Sequence, residues 1–171
     1  ESKKGIFSEE EEIWQKRQGT KDERGYAHKR EYEIWRKEWK RRGPIEFAKY
    51  VLKVDPETGK PLILSEDQKE FLTDVCFNNV KLSIISAGRG SGKTFVLAVY
   101  IAWRIFTHEY YHISCMGGSG EQSDKIQSFI TGWIRHTPEL REFVWKNVRR
   151  IIKTYASSSA TFHSCSATSI R

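Results

Sequence analysis

Residues 87–94 combine small side chains with a lysine and a threonine in an order that suits phosphate binding. They read Ala87-Gly88-Arg89-Gly90-Ser91-Gly92-Lys93-Thr94 and fit the pattern G-x-x-x-x-G-K-[S/T], with alanine in place of the first glycine. The glycines allow backbone N–H groups to converge on phosphate oxygens. Lys93 reaches the β- and γ-phosphates, and the Thr94 hydroxyl holds Mg²⁺. The segment predicts a site for a nucleoside triphosphate, expected to be ATP, together with Mg²⁺.

The segments on either side of this loop fit a phosphate cradle. The β-branched run Val80–Ala87 predicts a buried strand before the loop. The run "KTFVLAVYIAWRIF" predicts a buried helix after it, because its apolar residues cover every face. A helix that begins at the loop adds the positive end of its dipole to the site. The alternative is a flexible Gly/Ser turn without a ligand, and this context makes it the weaker interpretation.

Two polar residues near the loop each have more than one interpretation. Arg89 could stabilise charge developing on the γ-phosphate, or it could face solvent or a DNA phosphate, and the sequence favours neither. Gln68 lies upstream on a predicted helix, and its amide can both donate and accept, as reading an adenine edge requires. Alone it would be interpreted as a surface glutamine. Next to the phosphate loop, adenine recognition is the favoured interpretation.

Hydrophobic periodicity and turn residues predict a chain in which strands and helices alternate after the phosphate loop. The alternation predicts an α/β fold whose parallel sheet is flanked by helices and connected by right-handed crossovers. Tyr32, Trp35 and Trp39 form an aromatic stripe that either docks the first helix on the core or belongs to a basic arm. Helices are predicted over 27–42, 44–54, 66–78, 93–106, 120–136 and 137–145, and strands over 80–87, 110–118, 148–156 and 159–167.

Composition limits the class of protein. The 171 residues suit one domain of ordinary size, and 29 Lys and Arg against 22 Asp and Glu leave a basic balance. This balance fits a polyanion partner such as nucleic acid about as well as a solvated basic surface. The isolated cysteines Cys76, Cys115 and Cys165 indicate a reducing compartment and are expected to be core or strand residues. No apolar run approaches the roughly 20 residues of a membrane span, so we expect no membrane association.

The chain divides by composition at Gly43-Pro44. Residues 1–43 are dense in both charge signs and predict a charged helical extension. Residues 44–171 are expected to form the nucleotide-binding domain. Because the chain begins with Glu1 and stops at Arg171, we expect it to be part of a longer protein.

Three segments taken together resemble the ATPase domain of the large terminase subunit of tailed bacteriophages and related archaeal viruses. They are "LILSEDQKEFL" with Gln68, "SIISAGRGSGKT" with Arg89, and "ISCMGGSGEQSDKI" with Gln122. The resemblance covers residues 44–171 and includes a Ser-x-Arg element at Ser169–Arg171. It implies a P-loop NTPase fold of the RecA/helicase-like type. It also implies that Gln122 belongs to the nucleotide site and couples it to DNA.

The resemblance further implies a motor that hydrolyses ATP to move double-stranded DNA into a procapsid. The implied partners are the portal, the small terminase subunit and further copies in a ring, and the implied location is the host cytoplasm. The family also carries an apolar strand ending in Asp-Glu and a nuclease domain, and neither pattern is found here. We therefore expect both to lie beyond Arg171. A helicase-like ATPase and a non-catalytic nucleotide-binding assembly module stay open as alternatives.

Overall fold

The computed structural model of the chain describes residues 23–78, 81–86 and 88–164. Its contacts divide the chain into two compact units, Glu1–Trp35 and Arg36–Arg171. Helix α1 runs over Glu23–Arg42, so this division falls within it. In the first unit, Tyr32 is buried and its ring lies 6.1 Å from that of Trp35. The predicted domain boundary at residue 43 stays a prediction.

The second unit contains the remaining helices and all the strands of the described residues. Most of the predicted helices are confirmed, with bounds that shift by a few residues. In chain order, the elements are α2 (Pro44–Phe47) continuing into a π-helical turn (Ala48–Leu52), α3 (Glu66–Phe77), α4 (Lys93–Thr107), β1 (His112–Gly117), α5 (Gly120–His136), α6 (Pro138–Glu142), β2 (Val144–Val148), β3 (Ile151–Thr154) and β4 (Ser159–Ser164).

Helix α4 forms the centre of the core. Nine of its fifteen residues are buried, as its continuous apolar sequence predicts. Near its start, Phe95 packs edge-on against Phe129 and Trp133 of α5. Further along, the indole N–H of Trp103 donates to the carbonyl oxygen of Trp39 at 3.0 Å. The helix therefore links the loop that precedes it to α5 and to the end of α1.

The four strands form one sheet in the order β1-β4-β3-β2. Strands β1 and β4 are parallel, whereas β4 with β3 and β3 with β2 are antiparallel. The prediction of a parallel sheet is therefore wrong, and the sheet is mixed. The reason is the length of the connections: two residues join β2 to β3 and four join β3 to β4, which is enough for hairpins but too short for crossovers.

The predicted buried strand over 80–87 is also wrong for the residues that the structure describes. Residues 81–86 form no strand and are exposed, with Leu82 at 79% and Ile84 at 86% exposure. Val80 and Ala87 lie outside the described residues. A β-branched run fits a pleated surface, but it becomes a strand only when another strand pairs with it. No strand of the described residues pairs with this segment.

A second correction concerns the segment after α5. The predicted helix over 137–145 ends at Glu142, and Val144 and Trp145 belong to β2. The predicted strand over 148–156 is broken by a turn at Arg149 and Arg150. Beta-branched and aromatic residues favour a strand wherever a partner strand is at hand, and β3 supplies one here. The last predicted strand is β4, and its residues from 165 onwards lie outside the described part.

Candidate phosphate-binding site

The loop before α4 has the backbone conformation that its glycines predict. Gly90 has φ +86° and Gly92 has φ +76°, both in the left-handed region that other residues rarely adopt. Gly92 is the N-cap of α4, so the first N–H groups of the helix have no partner within it. These donors and the positive end of the helix dipole make this turn suitable for an anion. Of the predicted site residues, only Ala87 lies outside the described part.

Lys93 is folded back over the loop that precedes it. Its Nζ donates to the carbonyl oxygen of Gly88 at 2.8 Å and to Oγ of Ser91 at 3.3 Å. The ammonium group is therefore held beside the loop backbone, on the first residue of α4. Thr94 follows in the same helical turn and is partly exposed. The two residue types predicted to meet phosphate and Mg²⁺ thus stand side by side at the start of the helix.

Gln68 contacts the loop directly. Its Nε2 donates to the carbonyl oxygen of Ser91 at 3.2 Å, across 23 residues of sequence. Its Oε1 accepts from the backbone N–H of Ser65 at 3.1 Å, and its own N–H donates to Ser65 Oγ at 3.3 Å. This reciprocal capping box begins α3. Gln68 therefore ties the first turn of α3 to the loop before α4.

A side chain at Gly92 would displace the amide group of Gln68. An ideal Cβ built on Gly92 would lie 2.5 Å from Nε2 of Gln68. The same construction on Gly90 meets nothing within 4 Å. Gly92 is thus required both by its backbone conformation and by the approach of Gln68, whereas Gly90 is required by conformation alone.

The structure places the other two predicted site residues less centrally. Arg89 is exposed in the turn of the loop. Gln122 lies in the first turn of α5, and its Oε1 accepts from the N–H of Gly118 at 3.1 Å. This hydrogen bond closes the connection from β1 to α5. Gln122 is therefore at the carboxyl end of β1, and its predicted role at the nucleotide stays a prediction.

The carboxyl ends of β1 and β4 meet at one edge of the sheet, because these two strands are parallel. An ideal Cβ on Gly120, at the start of α5, would lie 3.8 Å from Cβ of Ser164, where β4 ends. In open α/β sheets, ligands bind at this kind of edge. The edge is thus formed by the Gly118–Gln122 turn and the last residue of β4.

Cysteines and possible metal ligands are further groups of the described residues that could take part in chemistry. Burial raises the pKa of the half-buried Cys76 thiol to about 12, which disfavours the thiolate form. Cys115 is buried on β1, as predicted, and burial raises its pKa also. Residues 23–78, 81–86 and 88–164 contain no group of three or more His, Cys, Asp or Glu side chains placed to hold a metal ion. Within the same residues, no helix is long and apolar enough to cross a membrane.

The sequence did not reveal that Gln68 is a structural partner of the loop. It showed Ser65 as a helix cap and Gln68 as a candidate base reader. The spacing Ser-x-x-Gln is itself a capping-box signature, so the first half of this role could have been predicted. The hydrogen bond to Ser91 could not, because it joins segments that only the tertiary fold brings together.

The fold defined by these elements is similar to that of a bacteriophage protein of solved structure. The structure superimposes on the HK97 bacteriophage large terminase with a TM-score of 0.66 and 20% sequence identity. The match covers 74% of this chain and 27% of that one, so the chain spans about a quarter of the terminase's length. No protein-family model matches the chain, and no curated protein matches it either. The resemblance predicted from the motifs is confirmed at the level of the fold.

Proposed function

We propose that the chain is the ATP-binding part of a viral DNA-packaging motor of the large-terminase type. ATP hydrolysis by the complete motor would drive double-stranded DNA into a procapsid. The proposal is supported by one observation above others: a loop with left-handed Gly90 and Gly92 leads into α4, with Lys93 as its first residue. This is the arrangement that phosphate binding at a helix N-terminus requires.

Different residues of the loop would bind different parts of Mg·ATP. The N–H groups of the loop and of the first turn of α4 would bind the β- and γ-phosphates. Lys93 would exchange its hydrogen bond with Gly88 for a phosphate oxygen, since the two acceptors compete for one ammonium group. The Thr94 hydroxyl would hold Mg²⁺, which neutralises charge between the phosphates. Arg89 is exposed and could reach the γ-phosphate or a DNA phosphate.

The proposed partners follow from the similarity to the HK97 large terminase. They are double-stranded DNA, a portal, a small terminase subunit and further copies of the protein in a ring, in the cytoplasm of the host. The basic balance of the chain, with a formal net charge of +7, supports a polyanion partner. A helicase-like ATPase shares the loop and an upstream glutamine and is the nearest alternative within the same class.

A second candidate is a nucleotide-binding module without catalysis. The observation in its favour is that the sequence has no apolar run ending in Asp-Glu, the pair expected to hold Mg²⁺ and polarise water. We therefore expect this chain alone to bind ATP and to hydrolyse it very slowly. Rapid hydrolysis by the isolated 171 residues would contradict the requirement for a further acidic pair.

The experiment that tests the proposal is titration of a fluorescent ATP analogue in the presence of Mg²⁺. Lys93→Ala removes the counter-charge of the phosphates and should weaken affinity by about 10- to 100-fold, the usual value of a charge-assisted hydrogen bond. Lys60→Ala removes the same charge from the exposed turn before α3 and should leave affinity unchanged. Equal affinity of Lys93→Ala and Lys60→Ala would refute the assignment of the loop.

A further inference from the structure

A short hairpin on the far side of the sheet from β1 ends in two adjacent arginines. Strands β2 and β3 pair antiparallel up to Val148 and Ile151, and the turn between them consists of Arg149 and Arg150. Both arginines are exposed, and Arg150 adopts φ +67°. We refer to residues 144–154 as the arginine hairpin.

Helix α5 holds the tip of the arginine hairpin in place. The side chain of Gln127 accepts from the N–H of Arg150 at 2.8 Å and donates to the carbonyl oxygen of Val148 at 2.6 Å. One turn further along α5, Thr131 Oγ1 lies 3.3 Å from Oδ1 of Asn147. On the other side, the N–H of Phe162 in β4 donates to the carbonyl oxygen of Arg150 at 2.9 Å. The tip is therefore ordered before any partner arrives, which lowers the entropy lost on binding.

The charge of the arginine hairpin is of one sign. It contains Lys146, Arg149, Arg150 and Lys153, and the sequence has no Asp or Glu after Glu142. Within the part of the chain that the structure describes, neither arginine of the tip is in an ion pair. Lys153 places its Nζ 5.1 Å from the centre of the Trp145 ring. Four cations thus lie on one rigid element of eleven residues without a carboxylate.

A cleft of mixed charge lies beside the tip, along α5. A cleft of about 420 Å³ beside Arg149 is also lined by Arg135 and His136, at the end of α5. Its carboxylates are Asp124 and Glu57, and Glu57 lies 3.7 Å from Lys125. The cleft therefore mixes both signs, whereas the tip of the hairpin is purely basic.

We propose that the arginine hairpin binds the phosphate backbone of double-stranded DNA. The choice of DNA as the polyanion rests on the proposed function. Guanidinium groups bind phosphate in a bidentate manner, and a duplex presents one negative charge about every 1.7 Å of its axis. The amide side chains that could read base edges, Gln127 and Asn147, are engaged in holding the hairpin. With both arginines bound to phosphates, binding by this surface should be independent of base sequence, as moving DNA of any sequence requires.

The test is fluorescence anisotropy of a short labelled duplex of mixed sequence, measured without nucleotide over a range of salt concentrations. Each lost phosphate contact reduces the slope of log K against log salt by about 0.9. Arg149→Gln/Arg150→Gln should therefore reduce the slope by about 1.8 and weaken binding at low salt by about tenfold or more. The matched control is Lys53→Gln/Lys60→Gln, which removes two exposed charges from the turn before α3 and should leave the slope unchanged.

Further measurements separate the effect of holding the hairpin tip in place from the effect of its charge. Gln127→Leu keeps every cation and frees the tip, so it should weaken binding at fixed salt while the slope is retained. Arg149→Gln/Arg150→Gln should still bind the ATP analogue with wild-type affinity. A wild-type protein that binds DNA through the hairpin but does not bind ATP would refute the proposed function and leave this inference standing.

Two results with the variants would each overturn the inference. One is an unchanged slope for Arg149→Gln/Arg150→Gln in a variant whose circular dichroism spectrum and melting temperature match the wild type. The other is an equal reduction in the Lys53→Gln/Lys60→Gln control, which would assign binding to net charge alone. Failure of the wild type to bind duplex at low salt, with ATP binding intact, would also refute the hairpin as a DNA site and leave nucleotide binding established.

Discussion

Replacing Gly92 with alanine tests how the phosphate loop is held. The structure gives two separate reasons for glycine at this position: φ of +76° and the approach of Gln68 Nε2 to 2.5 Å of an ideal Cβ. Gly90 has the first reason only, since φ is +86° and nothing lies within 4 Å of its ideal Cβ. The two alanine variants of one loop therefore separate backbone strain from the contact with Gln68.

The expected losses in the free energy of unfolding follow from the backbone strain and from the contact with Gln68. A left-handed alanine costs about 1–2 kcal/mol, and the smaller entropy of the unfolded chain returns about 0.4–1 kcal/mol. Gly90→Ala should therefore reduce the free energy of unfolding by about 1 kcal/mol. In Gly92→Ala the amide of Gln68 must also move, which breaks its hydrogen bond to Ser91 at a further cost of about 1 kcal/mol. Loosening of the capping box at Ser65 adds about 0.5–1 kcal/mol, for a total of about 2.5–3 kcal/mol.

Urea unfolding followed by circular dichroism measures both variants against the wild type. A double-mutant cycle with Gln68→Ala identifies the source of the difference, because that substitution removes the atom that Cβ would meet. In the Gln68→Ala background, the effect of Gly92→Ala should fall to that of Gly90→Ala. Equal effects of the two glycine substitutions in the wild-type background, or a coupling energy of zero, would refute the reasoning.

Two further predictions concern contacts outside the loop. Gly132→Ala would favour a helix in isolation, but in α5 the new methyl group would collide with the ring of Pro56, so we expect a loss of about 1–3 kcal/mol in urea unfolding. Burial, followed by the charge of Arg104, lowers the pKa of His108 to about 4, and the neutral ring lies between Arg104 and Thr107. In the unfolded chain the pKa of this imidazole is about 6.5. The contribution of neutral His108 to the free energy of unfolding should therefore be fully present above pH 6.5, and it should be lost as the pH drops towards 4. His108→Gln should flatten this part of the profile of melting temperature against pH; an unchanged profile would contradict the assignment.

The elements with local signals were predictable from the sequence. Ser65 with acidic residues behind it begins α3, Pro44 begins α2, and a long apolar run marks α4 as buried. The loop glycines have the left-handed conformations that their spacing requires. In each case the information lies in one continuous stretch of sequence, so residues near in the chain decide the outcome.

The sheet could not be predicted in the same way, because strand pairing joins distant residues. The exposed run with Leu82 and Ile84 has the composition of a buried strand, yet no strand of the described residues pairs with it. The sequence at Val144 and Trp145 continues a helical pattern, but both residues belong to β2, which pairs with β3. The contact between Gln68 and Ser91 has the same origin. The residues of the candidate site stay a prediction from the sequence, and the partners that hold Gln68 and Lys93 could not be predicted from it.

The central claim is that the loop over residues 88–94 holds the phosphates of ATP, and amide hydrogen exchange tests it most directly. Peptides covering the loop and the first turn of α4 should exchange more slowly after Mg·ATP is added, because phosphate oxygens accept from the same N–H groups that exchange. The arginine hairpin serves as an internal reference whose exchange should not change. In Lys93→Ala the same slowing should require about 10- to 100-fold more ATP. Unchanged exchange in the loop at saturating ATP, or slowing that appears only elsewhere in the chain, would contradict the account.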